Sequence, residues 1–294
     1  MWRRLKQSGL PWGLLWISPW IVGFLWFQVY PIVASLYYSF TYYNLMQPPT
    51  WVGLANYRWL LQHDDLFHQA VTNTLIFSLV SVPLDLAVAL VFALLLNRDI
   101  PGRSIFRAAF YFPSLVPTVA TSILWSVLFA TQGGLINVIL GWFNLGPVAW
   151  LSDPDWTMPS LVLLSVWGIG PMVVIFLAGL QDVPRTLYEA ARIDGAGPLA
   201  LVRHVTIPML SPVILFNFII ALISALQTFD LPFIVFQNGG PLNRALLFSV
   251  RLFDVGFQQF QMGMASAMAW MLFIACLILS LVSITLLNRV VHYD

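Results

Sequence analysis

The chain is divided into apolar blocks of more than 18 residues separated by short polar stretches, and this alternation restricts its fold more than any other feature. A hydrocarbon core of about 30 Å is crossed by roughly 20 apolar helical residues, and inside lipid every backbone N–H and C=O must find its partner within the protein. Six blocks reach that length, at about 12–38, 70–96, 109–130, 158–180, 210–236 and 264–287. They predict an all-α, polytopic membrane protein with six transmembrane helices and both termini on one side. Only 9% of the 294 residues are charged and 60% are hydrophobic, which excludes a soluble enzyme.

Basic residues assign the sides, because loops rich in Lys and Arg remain in the cytoplasm. With both termini inside, the inner segments carry Arg3, Arg4, Lys6, Arg98, Arg103, Arg107, Arg185, Arg192, Arg203 and Arg289, and the outer loops only Arg58, Arg244 and Arg251. This distribution predicts cytoplasmic termini. The amino-terminal run resembles a signal peptide in its basic start, yet it is too long and lacks a small-residue cleavage site, so it reads as a retained first span. No low-complexity tract or linker divides the chain, which predicts one membrane domain over residues 1–294. Pro19, Pro31, Pro83, Pro113, Pro117, Pro171 and Pro232 fall inside the spans and predict kinks. The outer loop 131–157, with Trp142, Phe143, Trp150 and Trp156 among its glycines and prolines, reads as an interfacial segment.

The rare residues exclude several chemistries. A net charge of +1 gives no field for nucleic acid. The only lysine is Lys6, so the chain has no Gly-rich loop ending in lysine to hold nucleotide phosphates. Cys276 is the only cysteine, the histidines His63, His68, His204 and His292 lie outside the apolar blocks, and neither HExxH nor GxSxG occurs. The sequence therefore predicts no catalytic residue and no metal site.

The loop 182–208 carries helix punctuation. Asp182 suits a cap, Pro184 a first turn, and Gly195 the left-handed residue past a helix end, which predicts a surface helix over about 183–194 and re-entry through Ile207 and Pro208. Glu189, the only glutamate, is followed by Ala190 and Ala191, whose small side chains leave a low surface on which another protein can pack. At helical spacing Glu189 can instead pair with Arg185 or Arg192, which is worth a few tenths of a kcal/mol.

The string EAARIDGAG at 189–197 with IP at 207–208 resembles the EAA loop of ABC-importer permeases, with Ile207 in place of the usual leucine. FYFPSLVP at 110–117, NGGP at 238–241 and MGMASA at 262–267 resemble the carbohydrate-uptake branch that includes maltose and glycerol-3-phosphate permeases. The resemblance runs in order along nearly the whole chain. It implies a heterodimer with a second permease, an ATPase dimer that grips the EAA loops and holds the ATP and magnesium, and an extracytoplasmic binding protein that delivers substrate. It also implies a location in a bacterial or archaeal inner membrane, and roles in ATPase docking for Glu189, Ala190, Ala191, Asp194, Gly195, Ala196, Ile207 and Pro208.

Polar residues inside the spans mark a candidate pathway. Asn217, Ala221, Ser224 and Thr228 share one face of the fifth span, with Gln227 beside Thr228, and Trp167 and Gly168 fall near the midplane of the fourth. A tryptophan ring can stack on a sugar while glycine leaves room for it, although small and polar residues also serve ordinary helix packing. The resemblance to maltose permeases, which bind substrate with these two helices, favours a pocket. Asp85 and Asp230 are the only ionisable residues within the spans and read as structural or gating residues, Asp85 bonding Ser78, Ser81 or a neighbouring helix. Two other readings stay open at this point. A secondary transporter driven through Asp85 and Asp230 would leave the EAA-like loop without a purpose, and a permease for a non-sugar solute would leave the FYFPSLVP and NGGP stretches without one.

Overall fold

The computed structural model describes residues 10–98, 101–237 and 239–287. Arg3, Arg4, Lys6 and Arg289 of the basic flanks, His292, and Asn238 of the NGGP stretch lie outside the described residues. The chain divides into two compact units, the first formed by residues up to Asp64 together with Leu252–Met271, the second by Asp65–Arg251 together with residues from Leu272 onward.

In the first unit, α1 runs through Leu10–Phe24 and Tyr30–Ser39 with a π-helical turn, Leu25–Val29, between them. Pro19 lies within it without ending it. None of the apolar window in its Leu15–Ser39 stretch is buried, so this helix presents its side chains outward, as lipid requires. A short antiparallel ribbon follows, β1 (Thr41–Tyr42) on β2 (Thr50–Trp51), and then α2 (Ala55–His63). The Asn56 amide fastens these pieces by donating to the carbonyls of Ser39 and Thr41, each at 2.9 Å. Gly263, from the MGMASA stretch, lies so close to β1 that a Cβ there would collide with the Thr41 carbonyl. Its N–H donates to the Tyr43 carbonyl at 3.1 Å.

The second unit is built on α3 (Asp65–Leu96), 32 residues long and not broken by Pro83. Next come α4 (Arg103–Tyr111), a 3-10 turn (Phe112–Leu115), α5 (Thr118–Leu128) and α6 (Leu135–Trp142). α7 (Pro154–Val166), α8 (Gly170–Asp182), α9 (Arg185–Ile193), α10 (Pro198–Met209) and α11 (Ser211–Leu226) follow. After them come α12 (Asp230–Phe236), α13 (Phe248–Phe253), which ends across the unit boundary, and α14 (Met262–Leu287), which the two units share.

Six spans are reached only if three bent pairs each count as one. α1, α3 and α14 are long and apolar enough alone, whereas α4 meets α5 at 97°, α7 meets α8 at 48°, and α10 meets α11 at 71°. The expected spans at 109–130 and 158–180 are therefore broken. At the first break Pro113 offers no N–H and Pro117 forces Val116 into an extended conformation (ψ 130°). At the second, Pro171 opens α8, and Gly170 makes the close approach possible, because a Cβ there would lie 2.7 Å from the Phe110 carbonyl.

The expected span at 210–236 is corrected more substantially. α11 ends at Leu226, residues 227–229 leave the helix, and α12 is a separate piece. Thr228 Oγ1 donates back to the Ser224 carbonyl at 2.9 Å and so satisfies one of the acceptors freed at the helix end. Asp230 consequently lies exposed in the first turn of α12, where a carboxylate complements the helix dipole, and not in the outer quarter of a continuous span.

The core of this unit has two centres. One joins Phe77, Phe129, Trp150, Leu161 and Leu247. The other forms where Ala89 and Ala93, one turn apart on α3, are small enough to admit Val173 and Phe176 of α8 and Leu210.

Candidate functional site

α3 carries its polar residues at one end. Asp65, His68, Gln69, Thr72, Asn73 and Thr74 occupy the first ten positions, and 75–96 is apolar apart from Ser78, Ser81 and Asp85. At 1.5 Å per residue the apolar part is about 33 Å long, so Asp85 lies at its middle. A cavity of about 360 Å³ opens at this level between α3, α7, α8 and α11. Ser81 and Asp85 line it from α3, Ser165 from α7, and Asn217, Ala221 and Ser224 from α11, with Gly168 and Thr228 in the adjoining breaks. The helix breaks thus place backbone irregularity beside a polar cavity, the setting in which a bilayer tolerates it.

The expected pathway residues are brought together only in part. Gly168, Ser224 and Thr228 line this cavity. Trp167 lines a neighbouring apolar cavity of about 410 Å³ with Phe92, Phe110 and Trp125, and its ring meets Trp125 edge-on at 5.4 Å. Gln227 lines neither; its side chain bonds the Cys276 thiol. α11 ends at Leu226, just before Gln227.

Asp85 does not bond Ser78 or Ser81, whose hydroxyls have no hydrogen-bond partner. Its partner is on the neighbouring helix. Ser165 Oγ donates to Asp85 Oδ1 at 3.1 Å and to the Val162 carbonyl at 2.8 Å, so one hydroxyl proton is divided between two acceptors. Ser165 has no distinguishing signal in the sequence, because the contact joins residues 80 positions apart.

The second candidate site is the loop after α8. Asp182 is the last residue of α8 and does not cap α9; Pro184, in an extended conformation, precedes α9 instead. The far end is as the glycine predicts. Gly195 adopts φ +83°, its N–H donates to the Arg192 carbonyl at 3.0 Å, and the Ala196 N–H donates to the Ala191 carbonyl at 2.9 Å. This pair of bonds is a Schellman cap.

Glu189, Ala190, Asp194 and Gly195 are exposed, Ala191 and Ala196 half-buried. Ile193 is 87% and Leu199 82% exposed. No ion pair ties Glu189 to Arg185 or Arg192 among the described residues; the three side chains line a polar cavity with Asn97, Arg103 and Tyr188. Tyr188 holds the helix down, its hydroxyl 3.1 Å from that of buried Thr206 in the π-helical turn of α10. Ile207 is exposed and Pro208 half-buried just before the bend into α11.

At the opposite end of α3 a strained loop is pinned down. Leu242 and Asn243 have φ of +52° and +56°, unusual for non-glycine residues. Gln69 donates to the Leu242 carbonyl at 2.8 Å, and Asn73 to the carbonyls of Asn243 at 2.8 Å and Leu246 at 3.1 Å. These bonds hold the segment that follows the NGGP stretch, and the polar start of α3 was their only signal in the sequence.

Residues 85–293 match the family described as the inner membrane component of binding-protein-dependent transport systems. The chain belongs to that family. Over 99% of its length it is 39% identical to the probable ABC transporter permease protein YesP of Bacillus subtilis, covering 95% of that protein. It is 33% identical to the arabinooligosaccharides transport system permease protein AraP of the same organism, over 97% of this chain and 91% of that one. The bacterial alginate ABC transporter, solved in complex with an alginate pentasaccharide-bound periplasmic protein, contains a chain of the same fold, with a TM-score of 0.84, 23% identity, and 99% and 98% of the two chains covered. The match, from Asp85 onward, includes the loop after α8 and the cavity-lining residues other than Phe77 and Ser81. The family is a membrane component of transport systems.

Proposed function

We propose that this chain is the permease subunit of an ATP-driven importer for a carbohydrate, half of a transmembrane pathway completed by a second, similar permease. The observation that carries the proposal is α9. It is a short, exposed helix closed by Gly195, bearing the chain's only glutamate beside two alanines and flanked by the bare apolar side chains of Ile193 and Leu199. Such a surface is stable in water only because it is small, and it suits a protein partner better than solvent. An ATPase dimer carrying ATP and magnesium fits there on the cytoplasmic side, with both termini of this chain on that side. A binding protein, as the family description specifies, would deliver substrate to the other side.

Movement of the ATPases would then reach the cavity through packed elements. Tyr188 links α9 to α10, α10 bends into α11, and α11 carries Ser224 and Asn217 to the cavity. Rigid displacement along this path would rock the cavity walls between two arrangements, opening it to one side at a time. The carbohydrate assignment is supported by the relatives named for arabinooligosaccharide and for trehalose and maltose transport, the latter 32% identical over 95% of this chain.

The test is purification of the chain from its native membrane with identification of co-purifying subunits, followed by Glu189→Lys and Ala190→Trp. ATPase recovery and uptake should fall together in both variants while insertion is retained. Undiminished assembly and transport in both would remove α9 as the docking site.

A further inference from the structure

We infer that Asp85 is a specificity-determining residue that accepts hydrogen bonds from the hydroxyls of an uncharged carbohydrate and turns away carboxylated ones. The inference rests on the importer reading above and names the chemistry of its cargo.

A carboxylate has room for about four hydrogen bonds, and Asp85 receives a shared part of one, from Ser165 at 3.1 Å. Placed at mid-bilayer depth, a charge so incompletely satisfied is costly unless something else enters to donate to it. The cavity supplies the space. It also contains two further groups without partners, the Asn217 amide nitrogen and the Ser81 hydroxyl, on residues 2% and 1% exposed. One partly satisfied carboxylate and two polar groups without partners, from two helices, thus border one volume of about 360 Å³, at the lower end of the range for small-molecule sites.

The balance of charge selects the occupant. Among the described residues lining the cavity Asp85 is the only ionisable one, and no cationic side chain accompanies it. A sugar hydroxyl donates to the carboxylate and accepts from the Asn217 amide, so a polyhydroxylated ring satisfies both. A uronate would bring a second negative charge beside the first with nothing to neutralise it. The alginate importer has the same fold and imports an acidic polysaccharide, so the backbone does not fix the charge of the cargo and side chains in the pathway must.

The experiment measures uptake of radiolabelled arabinotriose, maltotriose and trigalacturonate in native cells lacking the chain and in the same cells with it restored. Chain-dependent uptake of at least one neutral trisaccharide and none of trigalacturonate is expected. Asp85→Asn should raise the half-saturating concentration at least threefold and Asp85→Ala at least tenfold, at an unchanged level of protein in the membrane. Should Asp85→Ala fail to insert, Asp85→Asn decides. Equal uptake of trigalacturonate overturns the inference, as does an unchanged half-saturating concentration in the variants, including the case in which rate falls only in step with protein level. Gly168→Leu separates the two levels of argument. If it blocks uptake while the Asp85 variants behave as wild type, the importer reading stands and the role of Asp85 falls. If it leaves uptake intact, the cavity is not on the pathway and the inference falls while the importer reading stands; if none of the carbohydrates is taken up, the reading itself falls and takes the inference with it.

Discussion

Gly195 offers a substitution series whose energetics are unusually simple. Its φ of +83° lies in the left-handed region, and a Cβ built there meets nothing within 4 Å. Any cost of a side chain is therefore conformational and not steric, and should follow the ease with which each residue enters that region. Asn enters readily, Ala at about 1 kcal/mol, and a β-branched Val at about 2 kcal/mol. At room temperature those penalties reduce the equilibrium constant for closing the cap roughly 5-fold and 30-fold. The two amides that report the cap are those of Gly195 and Ala196, which donate to Arg192 and Ala191. Hydrogen exchange in lipid nanodiscs should therefore show protection of the position-196 amide nearly unchanged in Gly195→Asn, reduced about 5-fold in Gly195→Ala and about 30-fold in Gly195→Val. Recovery of the ATPase with the purified chain should fall in the same order. Equal protection in all three variants would mean that the left-handed cap does not hold the end of α9, and equal ATPase recovery despite graded protection would separate the cap from docking.

Three further outcomes follow from particular contacts. Gly170→Ala places a methyl group 2.7 Å from the Phe110 carbonyl, so the α4–α8 contact must open; a loss of about 1–3 kcal/mol should appear as a lower thermal midpoint of the purified chain. Asn73→Ala removes two hydrogen bonds to the strained loop, worth together about 1–3 kcal/mol, and protease cleavage near Leu242 should accelerate while α3 remains protected. In a Cys276→Ser background, cysteines at the exposed positions Gln47 and Asn144 should react with an impermeant reagent added to intact cells, and one at Thr186 should not; labelling at Thr186 would reverse the proposed orientation.

The features that the sequence made legible are those set by short stretches of chain. Apolar length located the long helices α1, α3 and α14, and Gly195 located the end of α9, because each depends on a few neighbouring residues. Pro113, Pro117 and Pro171 marked two breaks, although the bends of 97° and 48° depend on packing such as Gly170 against Phe110. The end of α11 had no such marker. Ordinary helix-compatible residues continue through 227–229, and the chain leaves the helix where Thr228 bonds back to Ser224 and Gln227 turns to Cys276. The cavity was half legible. Gly168 and Ser224 shared an expected depth and Thr228 the face of Ser224, but Ser165 acquires its role only through Asp85 on another helix. Tyr188 was missed for the same reason, since Thr206, its partner, lies 18 residues on.

The division of α3 into an apolar 75–96 and a polar 65–74 also bears on the lipid that this chain requires. The apolar part matches a hydrocarbon thickness of about 33 Å, and the ten residues of the polar end add about 15 Å beyond it. Gln69 and Asn73, which hold the strained loop, therefore stand outside the acyl chains, whereas the depth of Asp85 is fixed relative to them. Thinner membranes would be accommodated by tilting this helix or by local thickening of the bilayer, at fractions of a kcal/mol per Å. Acyl-chain length should consequently tune the tilt of the cavity wall while leaving the pinned loop undisturbed. In bilayers of graded thickness, transport should pass through an optimum that protection of the loop does not share.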